Sequence, residues 1–130
     1  MSTGFDRAAV MQGLVATRAQ LRPAFDLGES LAGSVDRIYF IACGSAQRAM
    51  RGIAYWIEHF SPRLEVRCQF PAEFMAINPP KLDARTLVVL ASKSGTTPET
   101  VAAAAFLKGK PAQVIAFSQF ADRPLAQAVS

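Results

Sequence analysis

The chain has 130 residues, 51% hydrophobic and 18% charged, with a formal net charge of +4: one domain, long enough to bury a core, whose apolar share suits strands covered on both faces. Its fourteen Lys and Arg residues are scattered and nowhere interleave with aromatics, which argues against a nucleic-acid partner, while a mild positive bias suits small anions. No apolar run is long enough to span a membrane, the first residues do not form a secretory leader, and two cysteines, Cys43 and Cys68, are too few for a disulfide framework, so a cytoplasmic location is expected.

Residues 6–21 predict an amphipathic helix on the spacing of Val10, Leu14, Val15 and Leu21, ended by Pro23. A second helical stretch is expected over 25–32. These make residues 1–33 a helical segment ahead of the main domain, 34–130. Residues 37–42, RIYFIA, read as a short buried strand. Residues 46–60 predict a helix with Met50, Ile53, Ile57 and Phe60 on its stripe, stopped by Ser61 and Pro62. Residues 64–70 alternate, with Leu64, Val66, Cys68 and Phe70 opposite Glu65, Arg67 and Gln69. That is a strand with one more polar face, nearer a sheet edge. One or two helical turns are expected over 71–77. Then come a strand over 86–91, a helix over 98–108, a strand over 113–117 and a helix over 123–129 that Asp122 caps.

Strand and helix alternate throughout this second part, so the fold class is α/β, a doubly wound parallel sheet in three αβα layers. The last helix is followed by no fifth strand, so the sheet is expected to lack its final strand. In such sheets ligands bind beyond the carboxyl ends of the strands. Two strands end in small polar loops there: Cys43-Gly44-Ser45 and residues 92–97, SKSGTT.

The segment LVVLASKSGTTPETVAAAAFLK carries the most information. A buried strand runs into hydroxyl residues and a glycine, and a helix starts at once behind them. Free backbone N–H groups at a helix start hold a phosphate without much positive charge. Thr97 is placed as N-cap, Pro98 suits the first helical position, Glu99 suits the first turn, and Gly109 closes the helix. The bland reading, a loop with a capped helix, is about as good on local chemistry alone. Gly44 and Ser45 likewise read as a tight turn, with Ser45 capping the helix from Ala46, and equally as ligand-facing groups.

RIYFIACGSA, followed some fifty residues later by LVVLASKSGTTPET, resembles the sugar isomerase (SIS) domain family, with Pro71-Ala72-Glu73-Phe74 similar to the short Glu-Phe turn between the two motifs. The resemblance covers most of the chain, from about Ser34 onward. It is nearest to the N-terminal SIS domain of glucosamine-6-phosphate synthase and fructosamine-6-phosphate deglycase enzymes. It implies a flavodoxin-like fold and a phosphorylated sugar or amino sugar as ligand. Phosphate binding falls on Ser92, Lys93, Ser94, Gly95 and Thr97, and sugar binding on Gly44 and Ser45. Lys93 stands where the synthase often has an uncharged polar residue, and either adds charge to the phosphate or points to solvent. Enzymes of this branch usually carry two such domains, so this one is expected to be the first of two, inactive alone. SIS domains pair, so a homodimer or larger assembly is expected. The alternative is an effector-sensing SIS domain of a transcription regulator, or a binding module without catalysis.

Other chemistry is sparse. Cys43 has no histidine near it in sequence and reads as packing. His59, the only histidine, sits fourteen residues along a helix that leaves the site, roughly 20 Å away. Glu73 is a candidate site or interface carboxylate, equally a solvated helix-start Glu. Trp56 and Phe60 read as core or interface. No metal-ligand spacing and no dinucleotide fingerprint occur, so no cofactor and no metal are expected.

Overall fold

The computed structural model describes residues 33–129 together with Ala8, Met11, Gln12, Val15 and Ala19. Those five residues are helical, as the sequence predicts for 6–21; the expected stretch over 25–32 lies outside the described residues. The chain divides into two units, Met1–Gly33 and Ser34–Ser130, and the second carries the fold.

Its elements alternate: β1 Arg37–Ala42, α1 Gly44–Phe60, β2 Glu65–Gln69, α2 Pro71–Ile77, β3 Thr86–Ala91, α3 Pro98–Leu107, β4 Gln113–Phe117 and α4 Pro124–Val129. The four strands form one sheet in the order β2-β1-β3-β4, and every pairing is parallel. β2 lies at an edge, as its alternating pattern predicts. β1 and β3 lie in the middle, where both faces are covered, and so read as continuous apolar runs: Ile38 to Ala42 and Thr86 to Leu90 are all buried.

One face of the sheet presents Tyr39, Ile41, Val88 and Leu90 to a core closed by Phe74 of α2, Ala103, Ala104 and Leu107 of α3, and Leu125 of α4. Phe74 is fully buried, its ring 5.4 Å from Tyr39 and 5.9 Å from Phe106. α1 packs on β1 and β2. Its buried residues are Gln47, Met50 and Ala54, which corrects the expected stripe of Met50, Ile53, Ile57 and Phe60. A small residue at 54 lets the helix axis approach the sheet. The seating that follows turns Ile53, Trp56 and Phe60 outward, so Trp56 and Phe60 are not core residues.

The amino ends of the strands are tied by charge. Arg37, its side chain 12% exposed, donates to Glu65 at 3.1 Å, to the Thr86 hydroxyl at 2.9 Å and to the Lys81 carbonyl at 3.1 Å. Arg85 pairs with both oxygens of Asp36. Among the described residues no helix is long and apolar enough to cross a membrane.

Candidate functional site

β1 and β3 are neighbours, with Ala42 paired to Ala91. The two polar loops therefore leave the sheet side by side. Here the strand order turns in opposite directions, β1 to β2 and β3 to β4, and a crevice opens at such a switch point. The helix after β1 begins at Gly44, with Cys43 at the N-cap position and no side-chain cap. This corrects the expectation that Ser45 caps a helix from Ala46. Gly44 has φ +59°, a conformation that glycine adopts without a steric cost, and it delivers Ser45 into the first turn.

The second loop folds around its own hydroxyls. Ser92 is buried, and its Oγ accepts the Gly95 N–H at 3.1 Å and lies 2.8 Å from Thr97 Oγ1. Ser94 Oγ accepts from the Thr96 N–H at 3.2 Å and from the Thr96 hydroxyl at 2.9 Å, and lies 3.5 Å from Ser92 Oγ. Thr97 occupies the N-cap position of α3, as expected, but its hydroxyl is turned to Ser92 and makes no cap bond. Three of the expected phosphate ligands, Ser92, Ser94 and Thr97, thus form one hydroxyl cluster at the start of α3. The first-turn N–H groups of α3 have no intrahelical partner, as at any helix start. Hydroxyl rotors and free N–H groups converging at a positive dipole end suit an anion.

The loop is clamped from the β4 side. Ser92 N–H donates to Phe117 O at 3.0 Å, Gln119 N–H to Lys93 O at 3.2 Å and Leu125 N–H to Gly95 O at 3.0 Å. Gly95 has φ +69°, and a Cβ there would lie 2.6 Å from Ser118 Oγ and 2.7 Å from Arg123 Cβ. Only glycine meets both constraints.

An open groove of about 380 Å³ lies over these loops, lined by Ser45, Ala46, Ala91, Ser92, Lys93, Phe117, Ser118 and Gln119. It joins the two loops that the sequence singles out, and it adds a third wall from the end of β4. Phe117 and Gln119 were not foreseen, because nothing local marks them; only the parallel register of β4 beside β3 brings them in. Of the second loop only Ser92 and Lys93 line the groove, Ser94, Gly95 and Thr97 lying outside it, and Gly44 shapes its turn without lining the groove. Glu73 does not line it either: its carboxylate accepts the Phe70 N–H at 3.4 Å at the start of α2. The Glu-Phe pair is therefore divided between a helix-start contact and the core.

Cys43, between β1 and α1, lies close to Glu99 and Thr100. Burial first, and the Glu99 carboxylate second, push its thiol up, against a smaller opposing effect of Thr100. A thiol held protonated is a poor nucleophile. Burial likewise raises the Cys68 thiol, against the pull of Arg51. His59 lies in the last turn of α1, about 22 Å along the helix axis from Gly44. Among the described residues no group of three or more His, Cys, Asp and Glu residues is gathered to hold a metal.

These features define a class: a parallel α/β domain with an anion-type hydroxyl loop at its switch point. The SIS domain model matches residues 31–129, and the chain belongs to the SIS domain family. It is 39% identical over 94 residues to fructosamine deglycase FrlB of Bacillus subtilis, covering 72% of this chain and 29% of that protein. Fructoselysine 6-phosphate deglycase of Escherichia coli O157:H7 is 35% identical over 100 residues, covering 77% and 29%. The crystal structure of a candidate phosphosugar isomerase from Bacillus subtilis superposes with a TM-score of 0.72 at 38% identity, covering 78% of this chain and 31% of that one. The chain thus spans about a third or less of the length of these relatives.

Proposed function

We propose that this domain binds a phosphorylated sugar or amino sugar for an enzyme of the sugar-phosphate isomerase or fructosamine-6-phosphate deglycase type, acting in the cytoplasm. The observation that carries the reading is the cluster of Ser92, Ser94 and Thr97 at the start of α3, beside Ser45 in the first turn of α1. The phosphate sits against that cluster and the first-turn N–H groups, with Lys93 adding positive charge at the groove wall. Ser45 and the β4 end meet the sugar. The relatives support the substrate class: both are deglycases, and one is a fructoselysine 6-phosphate deglycase.

Isomerisation and deglycation both move a proton between adjacent carbons and need a base. Anchoring the substrate by its remote phosphate lets such a base act at a fixed distance. No acid–base pair accompanies the hydroxyl cluster among the described residues, so the reading gives this domain binding and leaves turnover to a fuller assembly. The domain pairs with a second copy, and Glu73, whose carboxylate accepts the Phe70 N–H at the start of α2, serves the helix start and not the site.

Calorimetry with fructose 6-phosphate, glucosamine 6-phosphate and glucose tests the reading. The phosphates bind and glucose does not. Ser94→Ala, which removes an exposed hydroxyl bonded within the loop to Thr96, weakens the phosphosugars roughly ten- to a hundredfold, the worth of a hydrogen bond to a charged group (about 1.5–3 kcal/mol). Equal affinity for glucose and its phosphorylated counterparts would sink the proposal.

A further inference from the structure

The groove has two chemically different parts. Ala46, Ala91 and Phe117 form an apolar floor, and Phe117 is 47% exposed at the end of a half-buried edge strand. Ser45, Lys93, Ser118 and Gln119 supply polar groups around it. Most of the hydroxyls nearby are already engaged: Ser92, Ser94 and Thr97 with one another, and Ser118 Oγ with the Phe120 N–H at 3.3 Å. The Gln119 carboxamide is not. It makes no hydrogen bond within the described residues, yet its backbone is fixed, since its N–H donates to Lys93 O at 3.2 Å. An uncommitted donor and acceptor on an anchored backbone is the arrangement of a group that reads a ligand.

We propose that Gln119 is a specificity-determining residue of the groove, reading the hydroxyls of the sugar chain while its C–H face lies on Phe117. This rests on the phosphosugar reading and deepens it. The hydroxyl cluster recognises the phosphate, which every sugar phosphate shares. Gln119 recognises the carbon chain, which differs between them. The hydrogen bond from Gln119 N–H to Lys93 O couples the two parts, so the phosphate-anchored end and the hydroxyl-reading end keep a constant separation. An amide suits the task because it offers both a donor and an acceptor to a hydroxyl that is itself both. The apolar floor suits the C–H face of a polyol chain, which carries its hydroxyls at its edges.

The test uses fructose 6-phosphate and inorganic phosphate as probes against the wild type, Gln119→Ala and Gln119→Asn. Gln119 is exposed, so neither variant threatens the fold. The expected result is a loss of about tenfold for fructose 6-phosphate in Gln119→Ala, as for one hydrogen bond. Inorganic phosphate binding stays unchanged, and Gln119→Asn recovers part of the loss. Unchanged fructose 6-phosphate binding overturns the inference and leaves the phosphosugar reading standing. An equal loss for both probes also overturns it, because Gln119 would then act only by holding the phosphate loop. A wild type that binds fructose 6-phosphate no better than inorganic phosphate overturns both readings.

Discussion

Gly95 shows how one atom fixes the candidate site. Its φ of +69° lies in the left-handed region, and the space where a Cβ would stand holds Ser118 Oγ and Arg123 Cβ. The two constraints have different origins. The first belongs to the turn that lets Ser92 Oγ accept the Gly95 N–H; the second belongs to the connection between β4 and α4, which closes on the loop from the other side. Gly95→Ala therefore costs about 1–2 kcal/mol for the left-handed backbone alone, and the clash adds to it because backbone-proximal atoms of Arg123 cannot swing away. The expected outcome is a melting temperature lowered by roughly 4–8 °C or more, for a domain of this size, together with loss of phosphosugar affinity. Thermal melts and calorimetry on the same preparation check it. A variant that melts like the wild type would show that the two loops are less tightly joined than the distances state. Ser92 and Ser94 divide the labour in the same loop. Ser92 is buried and builds the turn, whereas Ser94 is exposed and is placed to meet a ligand.

At the scale of elements, the amino ends of β1 and β3 are held by carboxylates whose pKa values lie below the ordinary range. Hydrogen bonds from Arg85 lower Asp36, and a hydrogen bond from Arg37 lowers Glu65, each against an opposing effect of desolvation. A carboxylate depressed in the folded state contributes stability that is present above its unfolded value, near pH 4, and is lost as the pH falls through the folded value. The melting temperature should hold between pH 7 and 5 and fall below about pH 4. Asp36→Asn should lower the plateau and shrink the fall between pH 5 and 3; a fall of the same size in the variant would assign the acid sensitivity elsewhere. These elements were also the most legible ones. β1, α2, β3 and β4 fall at the residues that the sequence predicts, because each has an apolar run or a helix-start proline bounded by strong breakers. α1 was legible in length but not in orientation. Two stripes fit its period, and the small Ala54 decided between them through close approach to the sheet, an outcome that hydropathy does not encode. The site was legible where it is local. Of the residues singled out in the sequence, Ser45, Ser92 and Lys93 line the groove from adjacent loop positions, whereas Phe117 and Gln119 reach it through strand register alone.

The whole domain has two unlike faces. α2, α3 and α4 share one core with the sheet. α1 covers β1 and β2, and its outward side carries Ile53, Tyr55, Trp56 and Phe60, which are 50%, 72%, 63% and 63% exposed. The rings of Trp56 and Phe60 meet at 4.9 Å in a tilted pair, and His59 meets Phe60 edge-on at 4.9 Å, so these three side chains form one patch. Aromatic side chains bury roughly 150–250 Å² each. Trp56 and Phe60, each about two-thirds exposed, with Ile53, supply on the order of a third of the ~800 Å² per partner that a stable interface takes. A contiguous apolar patch of a few hundred Å² is the largest that a monomer ordinarily exposes, and such a patch is often functional. The proposed pairing of two copies therefore runs through α1, whose amino end carries Ser45 into the groove, so that association and the site share one rigid helix. Light scattering over a concentration series should give the mass of a dimer or larger assembly, and Trp56→Glu should shift the midpoint of dissociation at least about tenfold upward, the effect of some 1.4 kcal/mol. Trp56 points away from the sheet, so the variant keeps its melting behaviour at low concentration. A wild type that stays at the monomer mass up to roughly 100 μM, far above the ~1 μM that corresponds to about 8 kcal/mol of association, would mean that the aromatic side of α1 does not pair with a second copy.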